Sequence, residues 1–155
     1  MRFALTFALT CLVSLQGADP TTPILWNAAQ LKDVDKKLPG KINPALHLAT
    51  ERLEDSAFIL HRDGNSTAEI HDEQADFIVV REGEGAILIG KQGDKMVEGK
   101  RSGPGEQRGT AIIDGTKYPV AAGDMIYVPA NTPHQFLVEP GKHFTATIVK
   151  ITPKQ

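Results

Sequence analysis

Glu69-Ile70-His71-Asp72-Glu73-Gln74-Ala75-Asp76 is the stretch whose reading decides this chain. Glu69 and His71 are two residues apart, so on a strand they point to the same face. Asp76 opens the apolar run Phe77-Ile78-Val79-Val80, and Gly83 follows it. Far down the chain, Gly123 leads through Pro129 and Ala130-Asn131-Thr132-Pro133 to His134. A small β-barrel can gather these two carboxylates and two histidines around one metal ion. Two other readings stay open to the sequence: a solvated strand face that binds nothing, and a hydrogen-bonded cluster in a pocket for an organic ligand.

Working outward, short apolar runs alternate with turn residues. Candidate strands are Leu46–Leu53, Ala57–Arg62, Ser66–His71, Asp76–Arg81, Ala86–Ile89, Thr110–Asp114, Lys117–Ala121, Asp124–Val128, His134–Val138 and His143–Ile151. Asp63-Gly64-Asn65, Glu82-Gly83-Glu84-Gly85, Gln92-Gly93-Asp94 and Pro140-Gly141 punctuate them. Many short strands with frequent turns predict an antiparallel sandwich or closed barrel. The continuous apolar runs Phe77–Val80 and Met125–Val128 predict strands covered on both faces. Gly99–Gly109 is polar and glycine-rich and reads as a loop between two halves. Before the strands, Asn27 caps an expected short helix that runs to about Leu38 and ends at Pro39-Gly40.

The N-terminus carries a different signal. Arg2 precedes the apolar run Phe3–Leu15, which is shorter than the roughly 20 residues a membrane span needs. It breaks into Gln16-Gly17-Ala18-Asp19-Pro20, the pattern of a secretory signal peptide over residues 1–18. Residues 19–45 then read as a leader with the short helix, and 46–152 as the barrel. The expected location is periplasmic or secreted, with no membrane association after cleavage. Cys11 is the only cysteine, so the mature chain has neither a disulfide nor a thiolate nucleophile. Removing the leader takes net charge from −2 to −3, and no basic block or aromatic–basic alternation argues for a nucleic-acid partner.

The two motifs together resemble the cupin family. The first matches as Gly64, Glu69-Ile70-His71, Asp76 and Gly83; the second as Gly123, Pro129, Asn131 and His134, with Val138 at its last place. The resemblance covers residues 46–150. It implies an all-β fold, a double-stranded β-helix (jelly-roll) barrel, here with a short N-terminal helix. It also implies that Glu69, His71, Asp76 and His134 bind a divalent metal ion. Glu69 stands where the family usually has its first histidine, Asp76 where it has a glutamate, and Asn131 where it has a glycine. Each replaced ligand is still ligand-capable. An oxygen-rich, thiol-free set suits Mn, Fe or Zn. Because Glu69 is the unusual substitution, it doubles as the candidate catalytic base.

Other polar residues receive more ordinary expectations. His61 reads as an exposed strand residue, with a place in the pocket lining as the alternative, and His47 and His143 as surface residues. Gln74 reads as a rim donor. Phe136 shares the face of His134 and serves as cavity wall or core. Glu106 and Arg108 read as loop residues, with a lid over the mouth as the alternative. The expected function is a metal-dependent enzyme on a small oxygenated molecule, of isomerase, lyase or dioxygenase type. The competing readings are a non-catalytic module that binds a small molecule or metal, and an assembly role. A homodimer is a possible partner state.

Overall fold

Residues 75–89 carry a glycine-rich break at Glu82-Gly83-Glu84-Gly85, yet they form one long strand, Ala75–Ile89, in the computed structural model, which describes residues 23–153. The break is a bulge instead of a turn. Pairing with Phe144–Ile151 jumps from Glu82 opposite Thr145 to Val80 opposite Ala146, leaving Arg81 as the extra residue. Gly83 takes φ 75°, and a Cβ there would lie 2.1 Å from the His143 carbonyl oxygen. Only glycine permits that approach in that conformation. The bulge bends the strand, so its two halves serve two different sheets.

The strands in chain order are β1 (Leu48–Glu54), β2 (Ala57–Arg62), β3 (Ala68–His71), β4 (Ala75–Ile89), β5 (Met96–Val97), β6 (Lys100–Gly103), β7 (Glu106–Gly109), β8 (Ala111–Ile112), β9 (Thr116–Ala121), β10 (Met125–Val128), β11 (His134–Leu137) and β12 (Phe144–Ile151). One sheet runs β1-β2-β12-β4-β10 and the other β6-β7-β3-β11-β4-β9, with every pairing antiparallel. β5 and β8 pair separately. Inner faces of both sheets meet in one cluster that includes Leu60, Ile78, Val80, Ile87, Phe136, Phe144 and Ile148. Each large side chain buried there contributes about 1.5–3 kcal/mol. This is the expected jelly roll.

A short helix, α1 (Ala28–Lys37), lies against the outside of the first sheet. Asn27 and Gln30 form a reciprocal capping box, each side chain accepting from the other's backbone N–H. Leu31, Val34 and Leu38 pack on Ala49 and Ile59, and Arg81 grips Asp35 with both ends of its guanidinium at 3.1 and 2.7 Å. A 3₁₀ turn, Leu38–Lys41, continues past Pro39, which the helix was expected not to reach. No helix among the described residues is long and apolar enough to cross a membrane. The expected signal peptide lies outside the described residues.

Three sequence expectations need correction. Gly99–Gly109 is not a loop: it contains the β6–β7 hairpin, and β7 adds to the edge of β3. Its polar composition hid it, because ladder hydrogen bonds do not require apolar side chains. Met125–Val128 is not covered on both faces. β10 is an edge strand, and Met125 and Tyr127 are 65% and 49% exposed. His61 is buried rather than exposed. It sits at the foot of the helix, with Nδ1 2.7 Å from Thr145 Oγ1 and its ring stacked on His143.

Candidate metal centre

Strand register brings the four motif residues together. Glu69 and His71 alternate onto the inner face of β3, as their spacing predicts. His134, the first residue of β11, is paired directly with Glu69. Asp76 starts the inward run of β4. The turn before His134 is closed by Asn131, at φ 56° in the left-handed region that asparagine tolerates, and its N–H donates to the His71 carbonyl at 2.7 Å. His134 Nδ1 lies 3.1 Å from the Thr132 carbonyl oxygen, so a proton on Nδ1 turns Nε2 toward the other three residues.

One ligand-capable atom from each of Glu69, His71, Asp76 and His134 lies within 4.8 Å of the others. His134 Nε2 is 3.3 Å from Glu69 Oε1 and 3.3 Å from Asp76 Oδ2, and His71 Nε2 is 3.5 Å from Asp76 Oδ2. Ligand atoms around a tetrahedral ion at about 2.0–2.2 Å stand roughly 3.3–3.6 Å apart, so these separations match. His134 Nε2 is buried and faces the Glu69 and Asp76 carboxylate oxygens, while the buried Asp76 Oδ1 faces Lys150 Nζ. Two imidazole nitrogens and two carboxylates converging in a buried place form a donor set that suits a divalent cation. The cluster is therefore of a kind that can hold a metal ion.

Three cations that the motif reading left outside the site border it. Arg108 faces Glu69 across the β3–β7 pair, with Nη1 2.7 Å from Oε2, and also pairs with Glu106. Lys150 faces Asp76 across the β4–β12 pair, with Nζ 2.5 Å from Asp76 Oδ1 and 2.5 Å from His71 Nε2. Arg62 lies over the Phe136 ring at 5.5 Å. Glu106 and Arg108 are thus strand residues at the pocket, not joining residues in a loop. Lys150 and Arg62 carried a sequence signal: each is a charged residue in line with inward apolar positions, Ala146-x-Ile148-x-Lys150 and Phe58-x-Leu60-x-Arg62. Arg108 carried none without knowledge of the hairpin.

Charge sets the protonation of the cluster. Burial pushes the Glu69 carboxyl up, but His134, Arg108 and His71 override it and hold it at about 2. Burial acts the same way on Asp76, and His134, His71 and Lys150 hold it well below the usual carboxylate range. Burial lowers the His134 imidazole, and the carboxylates of Asp76 and Glu69 override that and raise it to about 9. The metal-free cluster is an imidazolium set between two carboxylates.

The cluster opens into a cavity of about 330 Å³ with Leu60, Phe136, Ile148, Arg62 and Gln74 among its walls. Gln74 is at the exposed rim, as expected, and Phe136 is both wall and core. His47 and His143 are exposed on the surface. A larger groove of about 710 Å³ lies elsewhere, between Asn65, Lys117, Val138 and Lys142, and none of the four cluster residues borders it. Chemistry, not size, marks the smaller cavity as the candidate site.

Known structures share this architecture. A Bacillus halodurans protein of solved structure aligns at 16% identity over 88% of this chain and 86% of its own, with TM-score 0.51. A cupin protein from Bacteroides fragilis aligns at 14% identity over 69% of this chain and 79% of its own, with TM-score 0.47. The protein has a cupin fold. A polyketide cyclase from Streptomyces resistomycificus aligns at 18% identity over 67% of this chain, with TM-score 0.48; the chain spans 64% of that protein's length. At these identities the likeness is one of fold alone. No family model and no curated protein matches the chain. The barrel nonetheless brings the ligand-capable residues of both motifs into one cluster, three of them lining one cavity.

Proposed function

We propose that this cupin is a metal-dependent enzyme acting on a small oxygenated molecule, of isomerase, lyase or dioxygenase type. The observation that carries the reading is the convergence of four ligand-capable atoms, one each from Glu69, His71, Asp76 and His134, beside a cavity lined by three of these residues. Glu69, His71, Asp76 and His134 would hold Mn, Fe or Zn. A bound divalent ion would polarise an oxygen of the substrate. The rest of the work falls to this chain. His134 is oriented by the Thr132 carbonyl, Arg108 and Lys150 hold the two carboxylates ionised and in place, and Phe136 keeps water from the inner wall. Glu69 fits the ligand role better than the base role, since a carboxyl at about 2 accepts a proton weakly.

One observation favours a second reading, a non-catalytic small-molecule binding module. Arg108 and Lys150 already neutralise the two carboxylates without any added ion. We also propose export to the periplasm or beyond, supported by the apolar run after Arg2 and its small-residue break. N-terminal sequencing of the protein recovered from the native compartment tests that proposal.

Elemental analysis of protein purified without a chelating tag decides between the two functional readings. The enzyme reading expects about one equivalent of Mn, Fe or Zn, lost in His71→Ala and His134→Ala. Glu69→Gln should lose activity with a milder loss of metal. A protein free of metal even after reconstitution would move the function to the binding module.

A further inference from the structure

Arg62 is the most unusual charged residue in the cavity. It is 4% exposed, forms no ion pair among the described residues, and has a buried Nε with no hydrogen-bond partner. Among the described residues its one hydrogen bond runs from Nη1 to the Leu46 carbonyl at 3.3 Å. Buried guanidinium groups are normally paired, because an uncompensated buried charge is among the costliest features a fold can carry. The neighbouring cations are accounted for: Arg108 on Glu69 and Glu106, Lys150 on Asp76 and His71. Arg62 alone is built into the wall with donors to spare, on the same strand face as Phe58 and Leu60 and over the ring of Phe136.

The charge of the cavity points the same way. Its walls carry three carboxylates, Glu69, Asp76 and Glu106, and three fixed cations, Arg62, Arg108 and Lys150. Adding a divalent ion leaves the site two charges positive. An anionic guest balances that excess and gives Arg62 its missing acceptor.

We infer that the cavity receives a small organic carboxylate, with Arg62 as the anchor for its carboxylate group and the wall of Phe58, Leu60, Phe136 and Ile148 as the seat for its apolar body. The inference rests on the metal-site reading for the excess charge, and independently on Arg62 for the anchor. A guanidinium presents paired donors in a plane that matches a carboxylate. The face of the Phe136 ring, 5.5 Å from the guanidinium carbon, offers it a cation–π contact. The fold keeps a destabilising, unpaired cation because the ligand completes it.

The test uses hexanoate and its neutral isostere hexanamide as probes, on metal-reconstituted full-length mature protein. Binding is measured calorimetrically and metal content is assayed on the same samples. The wild type should bind hexanoate roughly tenfold to hundredfold more tightly than hexanamide, the range expected for charge-assisted hydrogen bonds. Arg62→Met keeps much of the stem packing and should erase that preference while leaving the metal content unchanged. It should also raise the melting temperature of the ligand-free protein. Arg62→Lys, which keeps the charge but not the fork, should retain part of the preference. The inference is overturned if the wild type shows no preference, or if Arg62→Met keeps it. A structural role for Arg62 predicts the opposite pattern: a lower melting temperature and intact hexanoate binding. A wild type that takes up no metal would sink the metalloenzyme reading alone, because the hexanoate preference and its loss in Arg62→Met are read on the same samples with the same meaning.

Discussion

Metal uptake by this site should release a proton, and the structure sets the size of the effect. In the metal-free protein, His134 is fully buried between Glu69 and Asp76, which hold its imidazole at about 9. A metal ion needs the neutral ring. At pH 7 the proton must leave a group whose pKa lies about two units higher, which weakens apparent affinity by about a hundredfold. Apparent affinity for Mn²⁺ should therefore rise about tenfold per pH unit between pH 6 and 8. Calorimetric titration in two buffers of different ionisation enthalpy should count about one proton released per ion. The same charge has a stability signature. The His134 pKa is raised above its unfolded value of 6.5, so its contribution of about 3 kcal/mol is full below pH 6.5 and lost as pH rises through about 9. The Glu69 pKa is depressed from 4.5 to about 2, so its contribution is full above pH 4.5 and lost as pH falls through about 2. These describe one interaction and do not add. Both are fully present between pH 4.5 and 6.5, where the metal-free protein should be most stable as far as this pair decides it. Flat Mn²⁺ affinity from pH 6 to 8, with heats indifferent to buffer, would refute the reasoning: His134 would then be neutral before the ion arrives.

Three further perturbations probe the scaffold. Gly83→Ala places a Cβ on the His143 carbonyl oxygen at a positive φ, and should cost at least about 3 kcal/mol in urea unfolding. Phe136→Ala removes a wall shared by the core and the cavity. It should lower stability by about 3–5 kcal/mol in the same assay, with the metal uptake proposed for the four-residue cluster unchanged. Asp35→Ala leaves Arg81 without its helix partner; stability should fall by about 2 kcal/mol, and amide exchange should rise over α1 while β12 stays protected.

Legibility in the sequence followed the physics of each element. The strand pair Glu69 and His71 was readable because alternation is local: two residues on one strand share a face whatever the strand pairs with. The capped helix was readable for the same reason, since Asn27 and Gln30 meet within one turn. The Glu82–Gly85 break misled because a glycine that bends a strand and one that ends it look alike without a partner strand. The hairpin at Lys100–Gly109 was hidden because its polar side chains carry no apolar alternation. Its existence depends on β3 offering a free edge. His61 was misplaced because nothing in its own strand says that a helix will cover that face.

The cations around the site belong to this last group, and they change what the motif means. Read alone, Glu69 in the position of a histidine adds a negative charge to a metal site. The register of β3 against β7 sets Arg108 opposite it, and that of β4 against β12 sets Lys150 opposite Asp76. Each carboxylate is thus matched by a cation from a neighbouring strand, and neither match can be found by spacing along the chain. A divalent ion entering this site brings charge that the carboxylates no longer need to have neutralised. The surplus passes to whatever occupies the cavity, whose wall already holds a buried arginine with no ion pair among the described residues. The Glu69 carboxylate and Arg62 then belong to one electrostatic arrangement: a ligand-capable cluster whose carboxylates are balanced by neighbouring strands, next to a cavity whose wall carries a cation with no ion-pair partner among the described residues.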